Sequence, residues 1–282
     1  MADVLITEYT DPACPWAFSA EPFRLRLSWL YGDQLEWMPR MVVLADSADS
    51  YTSSGFTVER QAEALRRISR EHGMPIDTRP RPRMAATLPA CRAVVAARAH
   101  APGQARALLR RLRMRNFAGE LLDEPGTIDG AAADVGLDPS ELRAWSERPE
   151  VIAELEDDRA GARQPLPAAR VLDAKLANWS GGRRYTCPSY EILRRSDGVR
   201  IAIPGFQPFA VYDVVLANLV PGLERRDPPA GAEDVLAWAG APLATQEVAV
   251  LRDISFADAR EELGRVAVEH PLGHDGFWSL AA

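Results

Sequence analysis

Strand signals stand at both ends of a long helix-rich stretch, and that arrangement limits the folds open to this chain. Residues 3–9 form a short apolar run ending at the turn Asp11-Pro12. Residues 15–31 carry Phe18, Phe23, Leu27 and Leu30 at helical spacing and end at Gly32. Residues 35–44 read as a second strand. Strand, helix, strand at this spacing predicts a βαβ unit.

A helix-rich block follows over 58–164, with Val58, Ala62, Leu65 and Ile68 on one face, as are Leu108, Leu109 and Leu112. Asp138-Pro139-Ser140-Glu141 reads as an N-cap, a first-turn proline and a box-type glutamate. The block ends in Gln164-Pro165-Leu166-Pro167. Strand signals return from Tyr185 to Leu193 and from Val199 to Ile203, joined by the hairpin-type Arg194-Arg195-Ser196-Asp197-Gly198. A helix is expected from Phe209 to Leu219, and a tail after Pro228-Pro229 has helical patterns near 233–239 and 256–269. The expected class is therefore α/β, in the order β-α-β, helical block, β-β-α. Residues 1–57 and 165–222 make one domain, 58–164 an inserted helical domain, and 223–282 a C-terminal helical extension.

The net charge of −7 leaves no electrostatic footprint for nucleic acid or an anionic membrane. No apolar run is long enough to span a bilayer, and the N-terminus lacks the pattern of a signal peptide. Three widely spaced cysteines do not make a disulfide scaffold, so the expected compartment is the reducing cytoplasm. His72, His100, His270 and His274 form no recognisable ligand set, and no metal is expected.

Cys14 carries the chemistry. It lies where the first strand pattern runs into a helical one, and Pro15 suits the first helical position. A sulfur there faces free backbone N–H groups and the positive end of the helix dipole, which favour thiolate over thiol. The bland alternative is a buried, inert cysteine. Ala17 stands where the second cysteine of a C-x-x-C pair would be. Glu8 shares strand parity with Val4 and Ile6. Either it points into the apolar layer, paired or with a raised pKa and suited to relay a proton to Cys14, or it lies at the strand's exposed end.

Four landmarks together resemble the DsbA-like branch of the thioredoxin superfamily, related to kappa-class glutathione transferases and 2-hydroxychromene-2-carboxylate isomerases. They are Cys14-Pro15-Trp16, Glu8 six residues earlier, Pro22 eight residues later, and Thr186-Cys187-Pro188 opening a late strand. The match covers about residues 1–222. The resemblance implies a thioredoxin fold with inserted helices, a cis bond before Pro188, and Cys187 packed beside the nucleophile. Cys187 then either replaces the missing partner at position 17 or merely fills the strand. Cys91 opens the inserted domain and faces the cleft in relatives, as a third thiol or as packing. Pro15, Trp16, Thr186 and Pro188 would contact substrate.

The activity so implied is thiol–disulfide exchange through Cys14 and a mixed disulfide. The partner would be a disulfide-containing protein or a small-thiol adduct, with no cofactor required beyond a low-molecular-weight thiol. Two alternatives stand beside it: a small-thiol-dependent transferase or isomerase of the kappa-class type, and a non-enzymatic adaptor that uses the cleft to bind proteins.

Overall fold

The structure is a computed structural model that describes residues 2–53 and 55–281. β1 (Val4–Thr10) and β2 (Leu35–Met41) pair in parallel and are joined by α1 (Pro15–Ser19) and α2 (Glu21–Tyr31). The one helix expected over 15–31 is thus two. Pro22 supplies the reason: lacking an N–H and crowding the carbonyl one turn back, it is tolerated in the first turn of a new helix and not inside an old one.

After α3 (Asp49–Thr52) and α4 (Val58–His72) come α5 (Leu88–His100), α6 (Pro102–Phe117), α7 (Pro125–Asp134), α8 (Pro139–Ser146) and α9 (Pro149–Ala162). Proline opens each of α6 to α9, where its missing N–H costs no intrahelical bond. Asp138 caps α8 as expected, its carboxylate accepting from the N–H groups of Ser140 and Glu141. Val94, Val95, Leu108, Leu112, Leu142 and Leu155 share the apolar centre of this block.

The chain then forms a separate hairpin, β3 (Leu176–Trp179) with β4 (Gly182–Tyr185), before β5 (Ser189–Arg194), β6 (Arg200–Ile203) and α10 (Phe209–Leu219). Tyr185, expected to open a strand running to Leu193, instead closes β4. The cis peptide bond Cys187–Pro188 separates it from β5. The main sheet has the order β2-β1-β5-β6, with β5 antiparallel to both neighbours. Leu27, Leu30, Leu216 and Leu219 from α2 and α10 cover Val4, Ile6, Ile192 and Ile203 on one face of it.

The C-terminal extension is not helical alone. α11 (Ala232–Ala239), β7 (Leu243–Ala244), α12 (Thr245–Arg252) and α13 (Phe256–Val266) are followed by β8 (Ala267–Leu272) and β9 (Asp275–Leu280). The strands form their own sheet in the order β7-β9-β8. α13 exposes Ala257, Asp258, Glu261 and Arg265, with Arg265 paired to Glu261.

This unit docks on the main body. Ala244 and Phe277 join Phe18, Leu65, Met74, Ile76 and Phe117 in one apolar cluster. Arg110 of α6 meets Glu247 of α12 at 2.8 Å, and both are buried. The β8–β9 turn presses so close that a Cβ on Gly273 would lie 2.3 Å from the Ile76 carbonyl oxygen. With φ at +64°, only glycine suits that turn on both counts.

Candidate active site

The end of β1, the start of α1 and the cis-proline loop converge on Cys14. Cys14 is the N-cap residue of α1, in extended conformation, and only 5% exposed. Its thiol lies 3.2 Å from the Cys187 carbonyl oxygen, to which it donates when protonated. Its pKa is lowered. The strongest cause is a hydrogen bond from the Cys187 side chain, aided by the N–H groups of Ala17 and Trp16, while burial and the charge of Asp11 oppose it. Cys187 is pushed the other way, well above the ordinary thiol range, by burial first and then by Cys14. The two thiols are shifted in opposite directions, Cys14 down and Cys187 up. Ala17, in place of a second cysteine, is buried.

Pro15 begins α1, and Trp16 lies half-buried beside it. The Trp16 ring meets Phe206 at 5.6 Å and His72 at 5.0 Å between centroids. This aromatic patch flanks the nucleophile. His72, whose nearness to Trp16 its position at the end of α4 does not reveal, has a pKa lowered chiefly by burial. The Thr186 hydroxyl donates to the Lys175 carbonyl at 2.8 Å, and Ser189 donates back to the Thr186 carbonyl at 2.7 Å, fixing the loop before Pro188.

Two expected roles change. Cys91, placed among the substrate contacts, is completely buried and turns its thiol to Asp11 Oδ2 at 3.4 Å. Enclosure in the first turn of α5 keeps it from any substrate surface, and burial raises its pKa. Glu8 is buried rather than exposed, but it faces cations and not a thiol. Its oxygens take Arg113 at 3.0 Å and Arg106 at 3.1 Å. Burial pulls its pKa up, yet the two arginines overcome this and leave it lowered. A carboxylate so held stays ionised and does not carry a proton. Arg113 also binds Glu21, which pairs with Arg24 at 2.7 Å.

Asp11 is the site residue that sequence reasoning passed over as part of a turn. It is wholly buried. Its carboxylate accepts from Ala13 N–H, Leu44 N–H and the Thr87 hydroxyl, each at 2.8 Å, as well as from Cys91. Burial still prevails and raises its pKa. Tyr51 of α3 faces the same place: after burial, Asp11, Cys14, Cys91 and Cys187 each raise its pKa. Only a side chain bonded two residues ahead, at the turn before Cys14, hinted at Asp11. Nothing in the polar loop around Tyr51 marked it.

No group of three or more His, Cys, Asp or Glu among the described residues could hold a metal ion. No helix among them is long and apolar enough to cross a membrane.

The fold has known counterparts. A Nitrosomonas europaea protein assigned as a protein disulfide isomerase superposes with a TM-score of 0.60 at 15% identity, over 77% of this chain and 98% of that one. A Streptomyces coelicolor protein assigned as a DsbA oxidoreductase gives 0.55 at 19% identity, over 80% and 92%. The cytosolic disulfide reductase DsbM of Pseudomonas aeruginosa, in a structure with GSH, gives 0.53 at 20% identity, over 75% and 98%. No curated protein matches the chain. A family model described as the DSBA-like thioredoxin domain matches residues 5–165, more than half of the sequence. With the split α/β core and the cysteine at the head of α1, that match places the chain in the family of DSBA-like thioredoxin domains.

Proposed function

We propose that the protein is a thiol–disulfide oxidoreductase whose nucleophile is Cys14 and whose resolving thiol is Cys187. The observation that carries this is Cys14 at the head of α1 with its sulfur 3.2 Å from the Cys187 carbonyl oxygen, the two thiols being shifted in opposite directions. The Cys14 thiolate attacks a substrate disulfide, forming a mixed disulfide and releasing the distal sulfur as a thiolate. That step consumes the charge on Cys14, one of the forces holding the proton on Cys187. Cys187 then loses its proton and attacks the Cys14 sulfur, which expels the second substrate thiolate and leaves a Cys14–Cys187 disulfide. Two molecules of a low-molecular-weight thiol return the pair to the dithiol and leave as their own disulfide. The GSH in the DsbM structure supports a reductant of this class. Trp16, Pro15, Thr186 and Pro188 line the substrate's approach, and the cytoplasm is the compartment this chemistry suits.

The test is the alkylation rate of each cysteine against pH, read by peptide mass spectrometry before and after mild oxidation. The expected result is a Cys14 midpoint below the free value of about 8.5, with a Cys14–Cys187 linked peptide after oxidation. Cys14→Ser should abolish exchange on a disulfide substrate. An acidic Cys14 that forms only small-thiol adducts would move resolution from Cys187 to the small thiol. An ordinary midpoint at Cys14, or full biological activity in Cys14→Ser, would overturn the proposal in favour of a binding protein.

A further inference from the structure

A cleft of about 530 Å³ opens between α4, the loop after it and the β8–β9 turn, and it shares no residue with the thiol site. Its charge runs against that of the chain. The net charge is −7, yet the cleft holds Arg66, Arg70 and Arg79 against one carboxylate, Asp77. Arg79 and Asp77 satisfy each other at 2.6 Å. Arg66 and Arg70 have no ion-pair or hydrogen-bond partner among the described residues. They stand four residues apart, on one face of α4, where like charges repel. The helix dipole accounts for Arg70 in the last turn but not for Arg66 a turn earlier.

The wall supplied by the turn is oriented as well. The buried Ser69 hydroxyl has one proton and gives it to the Met74 carbonyl at 2.8 Å. At the 3.0 Å contact between Ser69 and His274, the ring Nδ1–H is therefore the donor. That leaves Nε2 of His274 open to a ligand. The close approach of Gly273 to the Ile76 carbonyl seats the turn against the loop. Residues 271–274 lie outside the stretch matched to the family, so the cleft belongs to this chain rather than to the matched domain.

We propose that this cleft binds a small organic phosphate, whose phosphoryl group Arg66 and Arg70 hold and whose remaining atoms lie against Pro271 and Leu272. Guanidinium forks match phosphate oxygens, and a phosphate offers more acceptors than a carboxylate to donors on two walls. The volume lies within the range of small-molecule sites, roughly 300–1,000 Å³, and leaves room for a body beyond the phosphate itself. The C-terminal extension then has a task of its own, to complete a second binding site remote from the cysteines.

The experiment titrates the full chain with inorganic phosphate and, separately, with phenyl phosphate, at ionic strength held constant with sodium chloride. It reads the rise in unfolding temperature that a ligand of the native state produces. Wild type should show a saturable rise with both. Phenyl phosphate should half-saturate at a concentration about threefold lower or more, because its ring covers the apolar wall. Equal half-saturation would overturn the organic ligand in favour of free phosphate. Arg66→Ala and Arg70→Ala together remove two exposed side chains from no packed contact, and should raise the half-saturating concentration about tenfold or more. His274→Ala tests the other wall without touching α4 and should raise it about threefold or more. Arg265→Ala, which removes a charge outside the cleft, should leave it in place. No saturable rise in wild type, or an unchanged one in the double arginine variant, overturns the proposal. So does an equal loss in Arg265→Ala, which would make the effect one of overall charge. None of these readouts involves a cysteine, so the outcome stands apart from that of the catalytic reading.

Discussion

Glu8 and Asp11 are three residues apart at one end of the same strand, both buried to 1% exposure or less, yet their surroundings treat them oppositely. Around Glu8 the interior supplies guanidinium groups in excess. Arg113, Arg106 and Arg24 interleave with Glu8 and Glu21, and each carboxylate is held below its ordinary pKa. Around Asp11 it supplies only dipoles, and the carboxylate is raised. Burial penalises charge in both places. At Glu8 the charges of Arg113 and Arg106 at about 3 Å outweigh that penalty, whereas at Asp11 hydrogen bonds from neutral donors reduce it without cancelling it. The first region is a fixed strut between β1, α2 and α6. The second takes only neutral donors, among them the Cys91 thiol.

The sharpest way to break this contrast is to remove the centre of the strut. Arg113→Met leaves Glu8 and Glu21 buried without their shared partner and should cost about 3–5 kcal/mol of stability in urea unfolding. The Cys14 alkylation midpoint should not follow. A matching shift at Cys14 would merge the two regions into one.

The pH dependence of stability should separate the carboxylates next. Glu8 and Glu21 have folded pKa values below their unfolded ones. Their contribution is therefore present above the unfolded value of about 4.3 and is lost as pH falls through the lowered values. Asp11 has the opposite sign: its folded pKa is raised, so its contribution is full in acid and fades as pH rises through that value. Asp11→Asn should accordingly gain on wild type as pH rises above the unfolded aspartate value of about 3.9, measured as the difference in urea midpoint at each pH. A variant that loses ground as pH rises would reverse the sign assigned to Asp11.

The smallest effect belongs to the surface. Arg265 and Glu261 pair on α13 with both side chains 66% exposed. Arg265→Ala should change stability by no more than about 0.5 kcal/mol. A larger loss would mean that exposed pairs contribute here as the buried strut does.

What could be read from the residues follows how local each feature is. The helix from Phe209 to Leu219 and the cap at Asp138 are set by their own neighbours and came out as expected. So did the cis bond at Pro188, through the family resemblance. The split of the first helix at Pro22 was equally local, but the apolar spacing across it masked the break. β7 has two residues and β8 carries Glu269, His270 and Pro271, so neither shows an alternating pattern until β9 lies between them. Asp11 takes its character from Thr87 and Cys91, which are 76 and 80 residues further along. A side chain whose meaning lies that far away carries no signal in its own neighbourhood. For Glu8 the strand pattern left the interior and the exposed end both open; it lies in the interior, and its partners come from α6, which no strand pattern announces.

The cluster that holds Phe18 has a consequence for how the protein is made. Phe18 lies in α1, four residues after the nucleophile, and stacks on Phe117 at 4.6 Å between centroids. Phe277, almost a chain length away, closes the same cluster. During synthesis the sheet and the inserted helices leave the ribosome well before Phe277 does, at rates of about 5–20 residues per second. The helix that presents Cys14 therefore waits for its last wall while the thiol is already in solution. A nascent chain paused before β9 would carry Cys14 on an unfinished support, and the β8–β9 hairpin is what completes it.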